Sequence, residues 1–324
     1  MKGRSSWECA EIYIAGEIHG VKENALVKMA LIEDLSKNYG VRRIALELGF
    51  FDSLGINEYL KRGDEKILKS VLDNYPHTYA SAQSEVAFWR NLFSYNQSLE
   101  ESRKLSVVGV DCNGKIDSVY KYILHYLIKS RPFDEGDNDI LIEQIKTYKK
   151  KNQTHEIDSA LSIEGKIRGL IEKYADRKKE TITTFIKLID ELFAHGHMLL
   201  FPDKRKEIRE EFIFKSLLGE YEKTHLEGKI FGQFGRLHVK ALEKESSAVE
   251  RIGQVLHNKC IRILYSYNNC TYFLIQDGKK LYRHIDEGLT ENVDDVEIIF
   301  IGKEYVAVKD ESPYCYHIPI VGTI

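Results

Sequence analysis

The chain has 324 residues, 43% of them hydrophobic and 30% charged, the composition of a globular protein with a full core. Its 47 basic and 50 acidic residues leave a formal net charge of −3, which gives no electrostatic reason to expect nucleic acid or an anionic membrane as a partner. Five cysteines without a CxxC pair (Cys9, Cys112, Cys260, Cys270, Cys315) argue against a disulfide framework or a zinc knuckle.

In chain order, the opening MKGRSSWECAEIYIAGE lacks the apolar core of a signal peptide. No run of about 18 apolar residues offers a membrane span, and the cytoplasm is the expected compartment. A short buried strand is predicted at 12–15, then a helix over 23–38 from the 3.6-residue spacing of Ala25, Leu26, Met29, Ala30, Ile32 and Leu35. Gly40 closes that helix, since glycine tolerates the left-handed conformation often found after a helix. A strand at 44–48 (IALEL) follows, then helical patterns near Ile56 and over 83–101. A strand at 105–110 precedes a helix at 117–129. Strands alternating this closely with helices imply right-handed crossovers and a parallel sheet covered on both faces.

The polar stretch 131–139 (RPFDEGDND) marks a boundary, and residues 140–223 carry only helical periodicity. Strand character returns at 229–234, followed by a helix at 240–257, a strand at 261–267 and short β runs at 272–275, 296–301 and 305–308. The expected architecture is α/β: a central, mostly parallel sheet with helices on both faces and a helical insertion or cap. Its core occupies 1–130 and 226–324, and the cap, expected to cover the cleft, occupies 131–225.

Ligands of open parallel sheets bind outside the carboxyl ends of the strands. There the sequence places Glu17 and His19 after the first strand, Glu47 on the second, Asp111 after the third and His238 after the strand beyond the insertion. A carboxylate inside a strand such as IALEL needs a partner, because an unpaired buried charge is costly. For Glu47 alone a structural ion pair is an equal reading, and His19 alone could merely cap a helix. Five such placements at one edge point instead to a site. In Gly16-Glu17-Ile18-His19-Gly20 the glycines permit a sharp strand-to-helix turn. A neutral imidazole there accepts a proton from water while a carboxylate fixes its tautomer.

The ordered segments IAGEIHGVKEN, VRRIALELGFFDSLGINEYL, AFWRNLFSYN, LSVVGVDCN, RKEIREEFIFKSL and GKIFGQFGRLHVKALEKESSAVERIGQVL resemble the erythromycin-esterase-like family over roughly residues 8–268. The resemblance implies an esterase-like hydrolase with a water nucleophile, acting on an ester or related acyl bond of a small molecule. His19 matches the histidine that activates the water, and Glu17 the acid beside it. Glu47 matches the acid ending the second strand and His238 the second active-site histidine; these two hold the water or the developing oxyanion. Lys28, Asp111 and Arg236 are the expected substrate-binding and electrostatic residues.

Three positions depart from the family pattern. One residue, Ile18, separates Glu17 from His19 where the esterases usually have two. Lys28 stands where they carry an arginine, and Gly235-Arg236 where they carry His-Asn. The pocket is therefore expected to differ from that of a macrolide esterase. The short Glu-x-His spacing is similar to haem-uptake proteins and Tiki-type metalloproteases, distant relations in which this turn helps bind metal or haem.

No cofactor is expected, but two histidines and two carboxylates leave a divalent-metal hydrolase as the alternative, and a non-catalytic or toxin-like binding protein as a third. His195-Gly-His197 lies in a helical stretch where i and i+2 face apart. Tyr75 to Tyr79 reads equally as pocket lining or as surface. Cys112 has no dedicated base, and Trp89-Arg90 reads as helix packing. GxSxG, GxxxxGK[ST] and GxGxxG motifs are absent from the sequence, which removes the serine-hydrolase, P-loop and dinucleotide readings.

Overall fold

The computed structural model describes residues 6–75, 78–112, 116–174, 176–177, 180–224, 227–239, 247–276, 279–285, 287, 298–301, 305–309 and 315–321. The protein is α/β, built on a parallel sheet whose strands run β3 (Ser106–Gly109), β2 (Val41–Leu46), β4 (Lys229–Gly235), β1 (Ile12–Glu17), β5 (Cys260–Asn268) and β10 (Cys315–Val321). Two antiparallel strands, β9 (Tyr305–Lys309) and β8 (Ile298–Ile301), extend it beyond β10. A hairpin of β6 (Cys270–Gln276) and β7 (Lys279–Ile285) stands apart as a second sheet.

Every residue of β1 is buried, as expected of a central strand in a parallel sheet. The chain leaves β1 through α2 (Asn24–Asp34) toward β2, and leaves β4 through α11 (Arg236–Val239) and α12 (Ala248–Leu256) toward β5 on the other side. Right-handed crossovers that diverge in this way put their helices on opposite faces and open a crevice between β1 and β4. The helix after β1 widens into a π-helical turn over Leu35–Tyr39 and stops at Gly40, whose φ of 82° is left-handed. That is the role the sequence assigns to this glycine.

Two compact units divide the chain. The first comprises residues up to Glu47, Ser53–Gly109 and those from Phe214 onward; the second comprises Leu48–Asp52 and Val110–Ile213. In the first lie α2, α4 (Glu65–Leu72), α5 (Gln83–Ser98) and the sheet. The second holds α6 (Ile116–Ser130), α7 (Glu135–Gln153), α8 (Ile157–Glu172), α9 (Glu180–Leu200) and the start of α10 (Arg205–Thr224). The helical unit thus begins at Val110, earlier than the composition break at 131 suggests. No described helix is long and apolar enough to cross a membrane.

Several elements differ from the sequence reading. The second strand ends at Leu46, so Glu47 stands just beyond it. The helix expected at 240–257 is described only over Ala248–Leu256, with Ser247 as its N-cap accepting from Glu250 N; 240–246 lie outside the described residues. Strand β10 has no counterpart in the sequence reading, and it carries Pro319, a residue that disfavours a sheet interior. The structure accommodates it: β9 pairs with β10 only at Tyr316 and His317 among the described residues, so at Pro319 the ladder to β5 is the one recorded.

Candidate active site

The C-terminal ends of β1, β2 and β4 bring four side chains together. Glu17 is the last residue of β1 and lies level with Gly235 at the end of β4. Glu47 follows β2, and His238 sits in the short helix α11 directly after β4. His19 Nδ1 lies 2.9 Å from Glu17 Oε1, and its Nε2 lies 3.4 Å from Glu47 Oε2. Glu47 Oε1 is 3.1 Å from His238 Nε2, while its Oε2 accepts the backbone N–H of Gly235. One carboxylate therefore serves two imidazoles. Glu17, Glu47 and His238 are buried; His19 is partly open to solvent.

Burial pulls the His19 imidazole toward its neutral form, but the Glu47 charge and the hydrogen bond and charge of Glu17 outweigh it. Despite opposition from His238, the pKa of His19 is raised above 6.5. The two nitrogens are not equivalent. Nδ1 is within hydrogen-bond range of Glu17, whereas 3.4 Å to Glu47 exceeds the range of an N–H···O bond. Nε2 is the less committed nitrogen, and once the ring loses a proton it is the basic one.

The turn that carries His19 is locked from below. Tyr267 OH accepts from Ile18 N at 2.9 Å and donates to Asn24 Oδ1 at 2.8 Å, and Asn24 Nδ2 donates to Ile18 O at 2.8 Å. Both backbone groups of Ile18 are thereby satisfied, and Gly20, with φ of 87°, turns the chain into α2. The imidazole face stacks on Tyr79, with ring centroids 4.1 Å apart and planes at 8°. Gly235 is dictated by space: a Cβ there would stand 2.8 Å from His19 Nε2. A glycine at 235 thus makes room for the ring that the Glu17-Ile18-His19 turn delivers.

Other residues singled out by sequence lie in ion pairs of their own. Lys28 is buried, its Nζ 2.7 Å from Glu85 and 4.0 Å above the Phe88 ring. Arg236 binds Glu287 through both Nη atoms and donates to Tyr265 O. Asp111 belongs to the second unit, fully buried against Arg209, with contacts of 3.0 Å to Nε and 2.7 Å to Nη2. His197 pairs with Glu164 at 2.7 Å, and burial pushes His195 down to about 4, so it is neutral. Arg90 pairs with Glu65 while Trp89 is buried. Burial pushes the Cys112 thiol up, away from nucleophilic use. Pro76 and His77 lie outside the described residues.

Sequence reasoning did not single out Asn24, Gln233, Tyr265 or Tyr267, and left Tyr79 undecided. The available signal was positional. Gln233 interrupts the apolar run KIFGQFG, and Tyr265 and Tyr267 alternate in LYSYN near the carboxyl end of β5.

As to a metal, among the described residues no group of three or more His, Cys, Asp or Glu side chains is arranged to hold an ion. The acids and imidazoles turn toward one another, His19 toward Glu17 and Glu47 and His238 toward Glu47.

A parallel sheet with its acid–imidazole cluster outside the strand ends defines an α/β protein. No protein-family model and no curated protein matches this chain. Solved structures do: a Bacillus cereus protein matches at 17% identity and TM-score 0.71, over 98% of this chain and 90% of its own. A succinoglycan biosynthesis protein matches at 19% and 0.65, over 87% and 73%. A mutant of the erythromycin esterase EreC, in its open conformation, matches at 15% and 0.66, over 86% and 76%. At these identities the likeness is one of fold.

Proposed function

We propose that the protein is a cytoplasmic hydrolase that cleaves an ester or related acyl bond of a small molecule, with water as nucleophile and His19 as general base. One observation carries the reading: His19 is anchored through Nδ1 by Glu17 while Nε2 stands free of a close hydrogen bond at the sheet's C-terminal edge. Neutral His19 takes a proton from water at Nε2, and Glu17 steadies the imidazolium that forms. Glu47 aligns the water and couples it to His238, which helps to offset the negative charge developing on the acyl oxygen. The fold shared with an erythromycin esterase supports the reaction class; the departures at Ile18, Lys28 and Gly235-Arg236 favour a substrate other than a macrolide.

The test is a screen of esters and lactones with purified protein, followed by His19→Asn on any substrate found. The variant should keep its fold, because the turn is held through Ile18 rather than the imidazole, and lose about 10²–10⁴-fold in turnover. Full turnover by His19→Asn excludes the reading. The reading uses no cofactor: chelators should leave the wild-type rate unchanged, and a rate that falls with chelation and returns with a divalent ion would favour a metal-dependent hydrolase instead.

A further inference from the structure

Three strands place three polar side chains on one face at the carboxyl end of the sheet. The register aligns Ala15 of β1 with Gln233 of β4 and with Ile263 of β5. Side chains two residues apart along a strand share a face, so Glu17, Gln233 and Tyr265 project from the same side. All three are buried, Tyr265 completely. Tyr265 OH donates to Gln233 Oε1 at 2.9 Å, Gln233 Nε2 donates to Glu17 Oε2, and Glu17 Oε1 meets His19 Nδ1 at 2.9 Å.

The donor inventory permits one direction along this chain. An ionised carboxylate only accepts, so Glu17 requires the amide nitrogen of Gln233 and repels its oxygen. That leaves the amide oxygen facing Tyr265, whose single hydroxyl proton must point at it. Glu17, held at Oε2, presents Oε1 as an acceptor and so demands a proton on Nδ1 of His19. Small Ala15 keeps the space over β1 clear for Gln233 and Tyr265 to meet.

We infer that Gln233 and Tyr265 are positioning residues that fix the His19 tautomer, holding its proton on Nδ1 and its lone pair on Nε2. Neither touches His19 itself; both act through Glu17. Among the described residues, Glu17, Glu47, His238, Gly235 and the Tyr79 ring face His19, and of these Glu17 holds Nδ1.

The inference rests on the proposed hydrolytic role only where turnover is read, so its first test is made on the resting protein. Nitrogen-15 NMR of labelled histidine, above the titration of His19, reports which ring nitrogen carries the proton. The wild type should hold the Nδ1–H form. Gln233→Leu should give a mixture containing Nε2–H, the form a free imidazole prefers. Tyr265→Phe removes one oxygen, keeps the ring packing and lets the amide turn over; it should shift the mixture in the same direction by less. If Gln233→Leu fails to fold, Tyr265→Phe alone decides. Where a substrate is in hand, either variant should lower kcat by ~10-fold, less than loss of the base itself, with KM unchanged. Retention of the wild-type tautomer in the folded variants overturns the inference whatever the activity. A tautomer shift in a protein that hydrolyses nothing leaves it standing and removes only the hydrolase reading.

Discussion

His19 Nε2 stands 3.4 Å from Oε2 of Glu47, within reach of an ion pair but beyond a hydrogen bond. The carboxylate attracts the imidazolium without occupying the nitrogen proposed as the base. The cost is a ring that gives up its proton at higher pH than an ordinary histidine.

That cost has a sign. Glu47 and Glu17 raise the His19 pKa, and only the neutral ring accepts a proton. Turnover should therefore rise with pH, with a midpoint above the ~6.5 of an ordinary histidine. The pair's contribution to stability runs the other way: present in full below the unfolded pKa, it is lost as pH rises through the raised folded value. A pH–rate profile and a histidine NMR titration measure the two sides. A midpoint below 6.5 in both would contradict this account.

Glu47→Gln keeps the size of the side chain and leaves an oxygen for Gly235 N–H. The charge that raises His19 most is removed, so its NMR titration should move toward lower pH. Turnover should drop even where His19 is fully neutral, because His238 loses its carboxylate partner. An unshifted His19 titration would show that Glu17 alone sets its charge state.

Gly235→Ala places a methyl 2.8 Å from Nε2 of His19. The ring must tilt off Tyr79 or away from Glu17, a local overpacking that costs about 1–3 kcal/mol. Turnover should fall far more than the melting temperature. Wild-type turnover in this variant would mean that the ring's position is not critical.

In the second unit Glu191 is buried and accepts Phe51 N at 2.9 Å. Burial, against the pull of that bond, pushes its pKa up to about 8, with Asp52 and Asp111 adding to the rise. The folded protein holds this proton over pH values at which the unfolded chain has lost it. Stability therefore declines between about 4.5 and 8, by an amount on the order of a few kcal/mol. Glu191→Gln, which can still accept from Phe51, should flatten that decline. Denaturation midpoints at pH 5 and pH 8 that separate equally in wild type and variant would rule it out.

Alternation of short apolar runs with amphipathic helices was enough to specify the parallel sheet and the place of Glu17, Glu47 and His238 at its edge, because strand ends are local in sequence. Composition could not place the start of the helical unit, since Val110 to Ser130 continues a pattern equally suited to the core. Lys28 and Arg236 read in one dimension as charges for a substrate; Glu85 and Glu287, which pair with them, are too distant in sequence to be foreseen. The sequence by itself determined which residue types stand at the sheet's carboxyl edge, since periodicity and glycine turns are short-range properties. Only the tertiary structure decided that one carboxylate spans two imidazoles, that Gly235 makes room for His19, and that Tyr265 donates to Gln233 and Gln233 to Glu17. Those relations depend on strand order and on side-chain direction, which no stretch of sequence contains alone.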